Sequence, residues 1–364
     1  MLSKITVPTL LLDKKKAIEN INFMAEKAKK HGLIFRPHFK THQSTVIGRW
    51  FRDAGISKIT VSSFKMAQYF ASDGWKDITV AFPVNIREID LINDLAKEID
   101  LNIVVESKET VEFLSKKLKL NVGVFIKIDT GYNRTGIECA DIEYINALIR
   151  SLRTSKQMKF KGFLAYTGQT YRLKTPSHIP LSLKKALNKL SLLKKAFIKD
   201  YPDCIVSIGD TPSCTLAEDF TGADEIRPGN FIFYDVMMLS YSVCTWDKIA
   251  VCLVCPVVSK HTARKEIVFY GGGVHFSKEN LLVSGKEFFG LVTRVTDKGW
   301  SEPVKGVYAK ALHQEHGILK CDNSDCFDSI NVGDLVGILP VHSCLTADCM
   351  KSYLTLEGEV IGHL

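Results

Sequence analysis

Several things are missing from this 364-residue sequence. No segment approaches the ~20 consecutive apolar residues of a membrane span, so no helical membrane protein is expected. The opening stretch, from Met1 to Lys16, has too short an apolar run, followed at once by charges, to read as a secretory signal. Ten cysteines are scattered without a disulfide-framework spacing, so reduced thiols in a cytoplasmic compartment are expected. No Gly-x-Gly-x-x-Gly follows an early strand, which weakens a dinucleotide-binding reading. Internal repeats, low-complexity tracts and flexible linkers are also lacking.

What is there suits a large globular protein. The chain is 46% hydrophobic and 24% charged, enough for more than one ordinary core. Its net charge of +8 comes partly from Lys14, Lys15 and Lys16 and from Lys184 and Lys185. These alternate with apolar positions in helix-like stretches. They read as solvated helix faces, not a nucleic-acid or membrane surface. A modest positive field also suits an anionic cofactor and substrate.

The first two thirds alternate short apolar strands with amphipathic helical stretches. Strands are expected at Leu33–Phe39, Lys58–Ser63, Ile78–Phe82 and Asn102–Val105. Four more are expected at Val122–Asp129, Phe160–Tyr166, Ile205–Gly209 and Phe231–Asp235. Helical periods fall at Ile86–Lys97, Lys108–Lys117, Asp141–Leu152 and Leu181–Lys199. Such alternation predicts a (β/α)8 barrel, with an open doubly wound sheet as the competitor. After about residue 240 the pattern becomes β-type, with runs such as Ile249–Val258, Glu266–Tyr270, Phe289–Val295 and Leu335–Leu339. The reading is a barrel over 13–240 and a C-terminal all-β domain over 241–364, with residues 1–12 packing on the latter.

Five constellations could carry chemistry. Arg36-Pro37-His38-Phe39-Lys40-Thr41-His42 puts Lys40 past the first strand, at the barrel end that holds active sites. A partly desolvated amine there is nucleophilic, although a surface lysine in a basic loop fits equally. Lys127-Ile128-Asp129-Thr130-Gly131-Tyr132-Asn133-Arg134-Thr135-Gly136 places an arginine fork at the end of the fifth strand, where it can bind a phenolate or carboxylate. Its bland alternative is a rim salt bridge between Arg134 and Asp129. Gly209-Asp210-Thr211-Pro212-Ser213 and Arg227-Pro228-Gly229-Asn230 offer hydroxyls and backbone N–H groups that suit a phosphate. Ordinary turn chemistry explains either one alone. His342-Ser343-Cys344, if extended, points an imidazole and a thiolate to one side, a pairing that suits Zn²⁺. Taken alone, a packed histidine and a buried cysteine read as well. Cys252 and Cys255 share an apolar β-type run and face opposite sides, so they are not expected to share a metal.

Together these motifs resemble the fold-type III pyridoxal-phosphate (PLP) enzymes, and within them the D-serine dehydratase and D-threonine aldolase family. The resemblance runs from Thr9 and Leu10 to His342 and Cys344. It implies Lys40 as the Schiff-base lysine and Arg134 beside the cofactor's 3′-oxygen. It further implies Thr211, Gly229 and Asn230 at the phosphate and Tyr171 as another cofactor contact. Zn²⁺ is implied on His342 and Cys344, because His-x-Cys resembles the dehydratases and His-x-Asp the aldolases. The expected activity is conversion of D-serine to pyruvate and ammonia by a homodimer acting on a small D-amino acid. Aldol cleavage of D-threonine, action on D-3-hydroxyaspartate, a non-catalytic PLP-binding protein and a racemase are the alternatives. The segment Tyr166-Thr167-Gly168-Gln169-Thr170-Tyr171 departs from the family pattern, which places a histidine near Gln169. The role of His313 and His316 is left open.

Overall fold

A computed structural model describes every residue except Lys174, Ser284 and Asn323, and all of Val283 but its side chain. The chain divides into two compact units. One comprises Asn22–Lys40 and Ile47–Gly229; the other comprises Met1–Ile21, Thr41–Val46 and Asn230–Leu364.

Ten strands lie in the first two thirds: β1 (Thr9–Leu12), β2 (Ile34–Phe35), β3 (Lys58–Val61), β4 (Asp77–Pro83), β5 (Asp100–Val105), β6 (Val122–Asp129), β7 (Ile137–Glu138), β8 (Met158–Ala165), β9 (Ile205–Ile208) and β10 (Glu225–Ile226). Eight of them form one parallel sheet in the order β2-β10-β9-β8-β6-β5-β4-β3. A parallel bridge from His38 to Thr60 joins the two ends, so the sheet closes as a barrel. Its strands read as near-continuous apolar runs, as strands covered on both faces must. In β5, Leu101, Ile103, Val104 and Val105 are all buried. The helices follow the sequence signals. Lys108–Lys117 is capped by the Ser107 hydroxyl, and Asp141 caps Ile142–Leu152. The expected segment at Ile86 divides into a short turn, Ile86–Glu88, and a helix, Ile89–Glu98, and the next long helix runs His178–Phe197.

One expected strand is wrong. The eighth barrel strand is β10, not Phe231–Asp235, which begins in a 3-10 turn at Asn230–Ile232. Phe231, Ile232 and Phe233 are fully buried, so a buried turn produced the apolar run of a buried strand. Asp235 ends the run by capping the helix Val236–Ser240 through Met238 N.

The second unit is built on ten further strands: β11 (Val251–His261), β12 (Glu266–Tyr270), β13 (Leu281–Val283), β14 (Lys286–Phe288), β15 (Gly290–Thr296), β16 (Gly299–Leu312), β17 (His316–Cys321), β18 (Leu335–Pro340), β19 (Ser352–Thr355) and β20 (Val360–Gly362). The order β12-β17-β16-β15-β18-β11 closes on itself, because β11 also pairs with β12. β1, β19 and β20 extend the sheet beyond β11. Its helices are short. One of them, Ser343–Met350, starts directly after His342.

Candidate active site

In the barrel unit, the predicted residues gather where strands end. Lys40 follows the strand-like bridge at His38, and His38 N donates to Pro228 O at 2.8 Å. That bond ties the lysine segment to the Arg227-Pro228-Gly229 loop. The Gly209 loop lies equally close. A Cβ on Gly209 would meet Arg227 N at 2.6 Å, so only glycine permits this approach. Thr211 is buried at the first position of the helix Thr211–Leu216, whose cap is Asp210. Burial pushes the Asp210 carboxyl up, against the hydrogen bonds it accepts from Ser213 N, Thr167 and Thr170. Lys40 itself is exposed, which corrects the expected desolvation by the chain.

Arg134 is also exposed, and among the described residues the alternative, a rim pair with Asp129, is not formed. The Asp129 carboxylate instead accepts from the N–H groups of Gly131, Tyr132 and Asn133, each at 2.9 Å. Those bonds shape the loop and leave the Arg134 guanidinium over the Tyr166 ring at 4.7 Å and the Tyr132 ring at 5.3 Å. Tyr171 hydrogen-bonds Tyr166. Burial, followed by the Asp210 charge, pushes the Tyr166 hydroxyl well above its usual range.

Two residues here were given no role by the sequence, although Lys127 opens the Arg134 motif. Lys127, on β6, is 4% exposed, and burial together with Arg227 and Arg134 lowers its ammonium to about 7. The signal was a lone charge inside an apolar strand run. Arg172 lies 5.0 Å from the Tyr132 ring, facing the same aromatic group as Arg134. Among the described residues neither Arg134 nor Arg172 has a carboxylate partner. Arg227 donates from Nε to Ser207 Oγ and from Nη2 to Ala165 O, both at 2.6 Å.

The other unit brings His342 and Cys344 together, by a route other than the extended segment expected. His342 is the cap residue of the helix Ser343–Met350, with φ −132° and ψ 99°, and Cys344 lies in its first turn. Burial opposes the charged imidazole, but the Cys344 sulfur and the Asp235 and Glu279 carboxylates outweigh it and hold it up at about 9. His342 Nδ1 is buried with no hydrogen-bond partner among the described residues. An orphaned imidazole nitrogen beside a thiol fits a soft or borderline cation, and no donor set of three or more gathers among the described residues. Two protein ligands leave open positions on such an ion.

Asn230, expected at the phosphate, has its side chain engaged within this unit. Its side chain meets Asp235 Oδ2 at 2.6 Å, Ser343 Oγ at 3.0 Å and Cys344 Sγ at 3.5 Å. What it can offer a phosphate is its backbone. Thr41, next to Lys40 in the chain, has its hydroxyl 3.2 Å from Cys344 Sγ. All described cysteines are free, and Cys252 and Cys255 are buried thiols pushed upward by burial.

Known proteins share this fold and these two domains. Residues 12–236 match the alanine racemase N-terminal domain, and residues 250–356 match a putative serine dehydratase domain. The chain is 26% identical over 361 residues to D-threo-3-hydroxyaspartate dehydratase of Delftia sp. strain HT23, covering 97% of this chain and 94% of that protein. It is 26% identical over 386 residues to D-serine dehydratase of Dictyostelium discoideum, covering 98% and 95%. The solved Delftia dehydratase superposes with a TM-score of 0.91 at 25% identity, over 100% of this chain and 98% of that one. A cysteine-to-alanine variant of it, described as metal-free, gives a TM-score of 0.92 at 25% identity over the same shares of the two chains. No helix among the described residues is long and apolar enough to cross a membrane.

Proposed function

Because the chain belongs to the D-serine dehydratase and D-threonine aldolase family of fold-type III PLP enzymes, with its alanine racemase-like barrel, we propose that it is a lyase converting D-serine to pyruvate and ammonia. The observation that carries the dehydratase reading is the His342 and Cys344 pair, whose sulfur favours zinc over harder cations. Lys40 is the residue proposed to hold PLP. Thr211, Gly229 and the Asn230 backbone would meet its phosphate, with Arg134 and Tyr171 toward its ring. When bound, PLP supplies a sink for the negative charge left at Cα. The Lys40 amine is the group that would take up the Cα proton. His342 and Cys344 would hold Zn²⁺ with open positions for the β-hydroxyl, which leaves more readily from a Lewis acid.

A second reading rests on Arg172. It adds a positive charge without a carboxylate partner near Arg134, which suits a substrate bearing a second carboxylate on Cβ, such as a D-3-hydroxyaspartate.

The test is to supply D-serine and D-threonine separately, with and without chelator and added Zn²⁺, and to assay pyruvate, 2-ketobutyrate and acetaldehyde. Pyruvate from D-serine, lost on chelation and restored by zinc, supports the dehydratase. Acetaldehyde from D-threonine without dehydration makes the enzyme an aldolase and removes Cys344 as a marker of the dehydratase.

A further inference from the structure

The sulfur of Cys344 sits in a built polar environment. Thr41 Oγ1 is 3.2 Å away and Asn230 Nδ2 is 3.5 Å away. Thr41 and Ser343 are fully buried, and Asp235 is 1% exposed. The orientation of the Asn230 carboxamide follows from Asp235. Asp235 Oδ2 already accepts from Ser343 N at 3.1 Å, so it acts as an acceptor toward Asn230 as well, and the amide nitrogen faces it at 2.6 Å. The same nitrogen is then the atom turned toward Ser343 Oγ and Cys344 Sγ. Asn230 Oδ1 is left buried without a hydrogen-bond partner among the described residues, an unfavourable arrangement. Reversing the amide would set Oδ1 against the Asp235 carboxylate, which is worse. Asp235 is itself pinned from two sides, by Met238 N at 2.9 Å and Ser343 N at 3.1 Å.

We infer that Asp235 is the positioning residue of the metal pair, holding Asn230 so that an N–H, together with the Thr41 hydroxyl, is aimed at the Cys344 sulfur that would bind a thiophilic divalent cation. The inference rests on the reading that His342 and Cys344 bind metal. Donors fixed on a ligating sulfur set its direction before the ion arrives. Partners of this kind are worth about tenfold to a hundredfold in metal affinity.

Asp235 also caps the helix Val236–Ser240, so its replacement must preserve that cap. Asp235→Asn does, because asparagine is an equally good cap. It removes the carboxylate that dictates which way Asn230 faces. Thr41→Val removes only the hydroxyl donor. The measurement is Co²⁺ titration of the full-length, PLP-loaded chain, read as the difference spectrum in the thiolate-to-cobalt charge-transfer region, with Zn²⁺ affinity from chelator competition. Asp235→Asn is expected to need about tenfold to a hundredfold more Co²⁺ to reach half of the wild-type band. Thr41→Val shifts the titration in the same direction by less, and Cys344→Ala abolishes the band. Wild-type affinity and band in Asp235→Asn overturn the positioning role. If circular dichroism shows that this variant does not fold, Thr41→Val decides, and an unchanged titration there overturns the aimed-donor arrangement. Wild-type metal affinity in Cys344→Ala instead overturns the metal reading beneath it.

Discussion

Lys127 should make the protein less stable than it would be without that charge, and by an amount that depends on pH. The side chain is 4% exposed, and its ammonium falls from 10.5 to about 7 because burial, Arg227 and Arg134 all oppose it. Every tenfold loss of proton affinity corresponds to about 1.4 kcal/mol, so the ceiling is about 5 kcal/mol. Local relaxation and water reduce this to roughly 2–4 kcal/mol. The sign follows from linkage. The unfolded chain keeps the proton up to its higher pKa, so between about 7 and 10.5 it binds more protons than the folded chain. Stability therefore climbs with pH across that window. Below it the penalty is complete, and above it the penalty vanishes. Lys127→Met, which fills a similar volume without charge, should raise the thermal midpoint of the PLP-free protein by a few degrees at pH 7. The gap should close as the pH approaches 10. Differential scanning calorimetry on both proteins over this range measures it. A gap that is constant with pH, or a wild type more stable at pH 7, refutes the argument.

Other expectations concern the site directly. Lys40→Ala should abolish lyase activity, and borohydride reduction should add cofactor mass to the Lys40 peptide of the wild type only. Gly209→Ala places a Cβ against Arg227 N at 2.6 Å, so it should cost about 1–3 kcal/mol and weaken PLP retention, read by dialysis and cofactor absorbance. Cys344→Asp should trade zinc dependence for manganese dependence, because a carboxylate is the harder ligand, and chelator-treated enzyme reloaded with each ion checks this. Arg172→Ala should lower kcat/KM for a D-3-hydroxyaspartate relative to D-serine by about tenfold to a hundredfold, the worth of a charged hydrogen bond. An unchanged ratio removes Arg172 from substrate selection.

The barrel was legible because its code is local. Short apolar runs and period-3.6 segments alternate from Leu33 to Lys199, and most predicted bounds lie within a few residues of those observed. The eighth strand was misplaced for a physical reason. Phe231, Ile232 and Phe233 are buried in a turn, and burial alone gives a turn the composition of a strand. The pair His342 and Cys344 was found through a wrong geometric premise. Spacing of i and i+2 suggested a strand, whereas a helix begins at Ser343 and the cap conformation of His342 brings its ring to the sulfur.

What sequence could not supply was the polar surroundings of each group. Asp235 was visible only as the end of an aromatic run. Its weight comes from meeting Asn230 and Ser343, the latter 108 residues away. Thr41 contacts Cys344 across 303 residues, and no periodicity reports such a separation. Lys127 carried a weak local signal, a charge inside an apolar strand, but its lowered pKa depends on Arg227 from another strand end. Motif spacing therefore recovers the groups proposed to touch cofactor and metal. The residues that orient those groups, and set the charge around them, are specified by the closure of the chain upon itself. For this protein they are where substrate choice between one carboxylate and two would be decided.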